Sequence, residues 1–143
     1  MSRIFWDTNL FVYLLEENPE FSQLVAHLRR RMTDRGDELL TSTMTLGEVQ
    51  VKPREKKNFA AAERFRNIIR QTCTVLPFDV AAADIYAELR ANSSVKSPDA
   101  IQLSCAAAAG VELFITNDKN LHKLTVPGIH FVTSLDRLPS TLL

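Results

Sequence analysis

The 143-residue chain is 45% hydrophobic and balances 17 basic against 17 acidic residues. That length and apolar content suit a single domain spanning residues 1–143 around one core, and the zero formal balance excludes a protein that binds nucleic acid through bulk charge. No apolar run approaches membrane-spanning length and no leader with a cleavage site opens the chain, so a cytoplasmic protein is expected; Cys73 and Cys105 fit neither a zinc nor a dithiol spacing and read as buried small hydrophobes.

Ile4-Phe5-Trp6 is a short apolar run ending at Asp7-Thr8-Asn9, after which Leu10, Tyr13 and Leu14 recur at helical spacing: a buried strand passing into a helix. A second helix is expected from about Pro19 to Met32, with Phe21, Leu24, Val25 and Leu28 on one face. Gly36-Asp37 breaks it, and Leu39 to Ser42 reads as the next strand. Thr43 or Thr45 can cap a third helix, which carries Leu46 and Val49 and which Pro53 should interrupt. From Asn58 to Thr72 the residues Phe59, Ala62, Phe65, Ile68 and Ile69 predict an amphipathic helix whose other face is basic.

Thr74 to Phe78 reads as a strand, and Asp79 as the N-cap of a helix running to Leu89. Ser97 then caps, and Pro98 begins, a helix that ends at Gly110. Leu113 to Thr116 is a strand closing at Asn117-Asp118, with a short helix around Lys119 to Leu124 and a last strand from Ile129 to Val132. Strands alternate with helices and several are continuously apolar, so the fold class is α/β: a mostly parallel sheet with helices on both faces, a three-layer sandwich.

Ligands of open α/β sheets bind outside the carboxyl ends of the strands. Asp7 closes the first strand, Glu48 lies on the helix after the second, Asp99 opens the helix before the fourth, and Asp118 follows the fourth. Clustered carboxylates raise one another's pKa unless cations compensate, and hard oxygen ligands suit Mg²⁺ or Mn²⁺, ions of phosphoryl chemistry. Each acid also has a structural explanation. Thr45-Leu46-Gly47-Glu48 fits a capping box, Asp99 in a first helical turn suits the helix dipole, and Asp118 could cap the short helix after it. Asp7, directly after Ile-Phe-Trp, is hardest to explain as a surface charge.

Asp7-Thr8-Asn9, Thr45-Leu46-Gly47-Glu48-Val49, Ser97-Pro98-Asp99-Ala100-Ile101-Gln102 and Thr116-Asn117-Asp118-Lys119-Asn120-Leu121, in that order and spacing, resemble the PIN-domain family, particularly VapC-type toxins. The resemblance runs on to Val126-Pro127-Gly128-Ile129. It implies a PIN-like sandwich, an Mg²⁺ or Mn²⁺ site formed by Asp7, Glu48, Asp99 and Asp118, endonucleolytic hydrolysis of RNA, a homodimer and, for a toxin, an antitoxin partner. Asn9 and Thr116 match supporting polar positions. Many relatives carry a further acid just after the fourth-strand motif; here Lys119 and Asn120 stand there, which leaves a second ion one ligand short.

Between Lys52 and Arg70 seven basic residues face two acids, and Lys52, Arg54, Lys56 and Lys57, just downstream of Glu48, are the expected RNA-backbone contacts. Arg29-Arg30-Arg31 with Arg35 makes a second basic cluster. Two other classes fit part of the pattern. One is a phosphoryl-accepting domain with Asp7 as nucleophile and Lys119 as phosphate contact, against which stands the absence of an acid two residues after Asp7. The other is a non-catalytic RNA- or protein-binding module.

Overall fold

The computed structural model describes residues 1–143. Five strands, β1 (Arg3–Trp6), β2 (Glu38–Ser42), β3 (Thr74–Leu76), β4 (Val111–Ile115) and β5 (Ile129–Thr133), pair in parallel throughout in the order β3-β2-β1-β4-β5. The chain winds outward from β1 to β3, then crosses back over β2 and β1 to enter β4. Because parallel crossovers are right-handed, this change of direction moves the connecting helices to the other face of the sheet.

Helices α1 (Thr8–Leu15), α2 (Ser22–Arg35), α3 (Thr43–Glu55) and α4 (Phe59–Thr72) cover one face, where Ile4, Trp6, Leu28, Met32 and Ile69 share a core. Helices α5 (Val80–Asn92) and α6 (Ser97–Ala109) cover the other, where Phe5 stacks on Phe114 with centroids 4.9 Å apart, beneath Leu103 and Ala106. Alternate residues of β1 therefore serve opposite cores, which is why its sequence is apolar without a break. No helix is long and apolar enough to cross a membrane.

Several local expectations need correction, each for a visible reason. Helix α2 starts at Ser22 rather than Pro19, because the Asn18 carboxamide takes the Glu20 and Phe21 amides in a turn, and Leu24 is exposed. Helix α3 continues through Pro53, which lies in its last turn where only one amide is lost. Strand β3 stops at Leu76, since Pro77 has no amide to donate. Ser97 does not cap α6: Lys96 is the N-cap residue, and the Ser97 hydroxyl is engaged by Tyr86 and Arg90. Helix α5 runs on to Asn92, and a 3₁₀ turn over Lys119–Leu121 replaces the short helix. Cys105 is buried but Cys73 only half-buried, and burial pushes both thiols up.

Gly110 ends α6 at φ 70°, and Gly128, at φ 100°, passes so close to that helix that a Cβ would lie 2.5 Å from the Ala107 carbonyl oxygen. This contact fixes the β4–β5 connection, and with it the approach of the chain beyond Ile115.

Candidate functional site

The strand order reverses between β1 and β4, and the polar residues that follow these strands meet at their carboxyl ends. The Asp7 amide is held by the Ile115 carbonyl at 3.0 Å, which continues the β1–β4 ladder one residue past the strand and turns the Asp7 side chain under the start of α1. As N-cap, Asp7 accepts the Thr8 amide on Oδ1 at 2.8 Å. Its Oδ2 accepts the Thr116 hydroxyl at 2.7 Å. Thr116 Oγ1 is approached by the Asp118 amide at 3.1 Å and the Asn9 carboxamide at 3.4 Å, so its own hydrogen is left for Asp7. Asn9 also accepts the Asn117 amide at 3.4 Å, and the His122 Nε2 lies 2.9 Å from the Thr116 carbonyl oxygen.

Asp7 is 6% exposed, and burial raises its pKa against the opposing hydrogen bonds from Thr116 and Thr8; the charges of Glu48 and Asp118 push it further up. The half-buried Asp99 is raised to about 6, first by burial, then by the charges of Asp7 and Asp118 and by a hydrogen bond shared with Asp118. Neither Glu48 nor the three aspartates forms a salt bridge. Asp7 thus feels the charges of Glu48 and Asp118, and Asp99 those of Asp7 and Asp118, with Lys96 near Asp99 as the opposing charge. Clefts of about 350 Å³, lined by Lys96, Asp99, Asp118 and Asn120, and about 450 Å³, lined by Met44, Glu48, Val51, Phe78 and Ile101, flank them.

Glu48 does not close a capping box. Ser42 is the N-cap residue of α3, its hydroxyl accepting the Met44 amide at 3.2 Å, while the Glu48 carboxylate accepts the Thr8 hydroxyl at 2.7 Å. Asp118 does accept the Asn120 amide at 3.0 Å, so it caps the 3₁₀ turn as well as facing Asp99.

Lys52, Arg54, Lys56 and Lys57 lie on the last turns of α3 and its exit, outside this cluster and exposed. Lys52 is 3.7 Å from Glu16, Arg54 donates to Gln50, and no salt bridge holds Lys56 or Lys57.

Sequence reasoning missed the layer beneath the acids. Gln102 on α6 is 1% exposed, and its amide nitrogen donates to Thr45 at 2.8 Å and Thr8 at 2.9 Å, with Asp7 Oδ1 at 3.4 Å. The signal was present: Gln102 is a long polar side chain within a run of Ala, Leu and Cys, three residues after Asp99 and hence on its face of the helix.

Fold and site together define an α/β domain with an acidic centre at a topological switch point. Residues 4–126 match the PIN domain, and the chain belongs to that family. Among curated proteins none matches. Similar solved structures include DNA-bound VapBC from Salmonella typhimurium, 26% identical over 94% of this chain and 99% of that one, with a TM-score of 0.64. VapBC2 from Rickettsia felis, bound to a fragment of its promoter DNA, is 17% identical over 92% and 98%, with a TM-score of 0.75. VapC20 of Mycobacterium tuberculosis, a toxin that cleaves the sarcin-ricin loop, is 15% identical over 85% and 96%, with a TM-score of 0.65.

Proposed function

We propose that this protein is a divalent-metal-dependent endoribonuclease that hydrolyses RNA phosphodiester bonds, and that it is the toxin of a VapBC-type pair. The observation that carries the reading is four carboxylates gathered at the switch point without a salt bridge, one of them 6% exposed and another raised to about 6.

Asp7, Glu48, Asp99 and Asp118 are the residues that would hold Mg²⁺ or Mn²⁺. Their hard oxygens fit such ions; no three of them stand close enough together to hold one as they are, and Mg²⁺ commonly takes one or two carboxylates and keeps water in the rest of its shell. A divalent ion bound there supplies charge neutralisation at the scissile phosphate and lowers the pKa of an attacking water. The chain's own contribution is orientation: Thr116 and the Thr8 amide fix both Asp7 oxygens, Asn9 supports Thr116, and the Thr8 hydroxyl fixes Glu48. Lys52, Arg54, Lys56 and Lys57 would contact the RNA backbone, positioning it without reading sequence.

An antitoxin protein and a second copy of the chain are the proposed partners; the VapBC complexes among the similar structures support the antitoxin. Two apolar surfaces are available for them. One is a cleft between α1, α2 and α4 lined by Phe11, Leu14, Leu15 and Ile68; the other is the flank of Glu48, where Val51 and Phe78 are exposed.

The test is incubation of purified, partner-free protein with a mixed structured RNA in Mg²⁺, Mn²⁺ or EDTA. Cleavage with either ion and none in EDTA is expected; cutting that persists in EDTA contradicts the metal, and folded protein that binds RNA without cutting it would point to the binding-module reading.

A further inference from the structure

The polar layer beneath the acids is directional. The Ser42 hydroxyl accepts the Met44 amide, so its own hydrogen is free to donate to the Gln102 carbonyl, and that bond turns the Gln102 amide nitrogen towards Thr8 and Thr45. Thr45 Oγ1 accepts from Gln102 and lies 2.8 Å from the Thr41 hydroxyl, whose hydrogen is shared with the Trp6 carbonyl at 3.0 Å, and 3.1 Å from Thr8 Oγ1. Thr8 Oγ1 accepts from the Gln102 amide nitrogen, which can only donate. Its single hydrogen therefore points at Glu48 Oε1, which can only accept, at 2.7 Å.

From this geometry we infer that Gln102 is a positioning residue for the metal site, acting through the Thr8 hydroxyl on the Glu48 carboxylate. Glu48 is exposed on α3, a position from which a glutamate side chain otherwise samples several rotamers. Gln102 fixes which way the Thr8 hydrogen points, and so holds that carboxylate on the side of the rim facing Asp7. The same amide ties α6, which carries Asp99, to the starts of α1 and α3, so three of the four acids share one buried anchor. Outer hydrogen-bond partners of this kind typically change metal affinity by about 10–100-fold when removed. The inference rests on the proposed metal site.

The experiment is Mn²⁺ titration, followed by electron paramagnetic resonance, of the wild type, Gln102→Met, Thr8→Val and the double variant, with thermal unfolding in EDTA measured in parallel. Wild-type binding is expected to weaken by about 10-fold or more in each single variant. The double variant should be little weaker than either, because both remove the same hydrogen bond to Glu48. In a Glu48→Gln background, Gln102→Met should change the affinity by less than about 3-fold, a result a purely structural role would not produce. If Gln102→Met does not fold, Thr8→Val alone carries the test, since Thr8 is only half-buried. Wild-type affinity in Gln102→Met or in Thr8→Val, or fully multiplicative losses, overturns the role of Gln102 while leaving the metal site standing. No Mn²⁺ binding by the wild type overturns the metal site and the relay together.

Discussion

The two ends of the sheet treat their acids in opposite ways. At the amino end of the strands, Asp37 pairs with Arg35 at 2.8 Å and accepts the Ser2 amide, Glu38 pairs with Arg3 at 2.9 Å, and Glu112 accepts the Arg3 amide at 2.7 Å. At the carboxyl end, Asp7, Glu48, Asp99 and Asp118 receive hydroxyl and amide donors and one another, and no salt bridge. Both ends are polar and both contain a buried aspartate, Asp37 at 8% exposure and Asp7 at 6%. Burial of an acid is therefore not the mark of the site; burial without a counter-charge is.

The sharpest way to break the comparison is Asp7→Asn. Cleavage of RNA by this variant, followed by gel electrophoresis, is expected to fall on the order of 100- to 1,000-fold, the scale of losing one preorganised electrostatic group, while the fold persists. The matching change at the other end, Asp37→Ala, should do the reverse. It leaves the half-buried Ser2 amide and Arg35 without their partner, costs about 2–3 kcal/mol and lowers Tm by roughly 4–12 °C in calorimetry, with cleavage unchanged at a permissive temperature.

Asp99→Asn sharpens the contrast through its sign. The Asp99 pKa is raised from 3.8 to about 6 in the folded state, so the unfolded chain loses this proton first and stability falls as pH rises between about 4 and 6. Removing the charge should thus stabilise the metal-free protein at pH 7.5 by about 1–2 kcal/mol, discounted for partial solvent exposure, and change nothing at pH 3. Denaturant unfolding in EDTA at the two pH values measures it; a loss of stability at pH 7.5 would mean that Asp99 is structurally paired. The smallest effect belongs to the basic exit of α3. Lys56→Gln with Lys57→Gln should reduce the salt slope of RNA binding by about 0.7 per lysine, read by fluorescence anisotropy, without altering Mn²⁺ affinity.

Much of this was legible in the sequence, and for uneven reasons. Unbroken apolar runs such as Ile4-Phe5-Trp6 and Leu113-Phe114-Ile115 announced buried parallel strands, and the residues that follow them announced the rim. Helix boundaries were less legible, because side chains compete for amides in ways spacing does not encode: Asn18 delays α2, and Tyr86 and Arg90 draw Ser97 away from its cap. Of the layer under Glu48 only Gln102, polar within an apolar helical run, left a mark in the sequence. Thr8, Ser42, Thr45 and Gln102 come from four elements, and only the assembled fold shows that Glu48 bonds to Thr8 instead of its own helix cap.

Calorimetric titration of metal-free protein with Mn²⁺ at pH 6 and pH 7.5 asks whether the acids without a counter-charge bind a divalent cation. The wild type is expected to bind one or more Mn²⁺, with weaker apparent affinity at pH 6 as the ion displaces protons from the raised carboxyls, and Asp7→Asn to bind none. Affinity that is equal in the wild type and Asp7→Asn, or no binding to the folded wild type at either pH, would contradict this expectation.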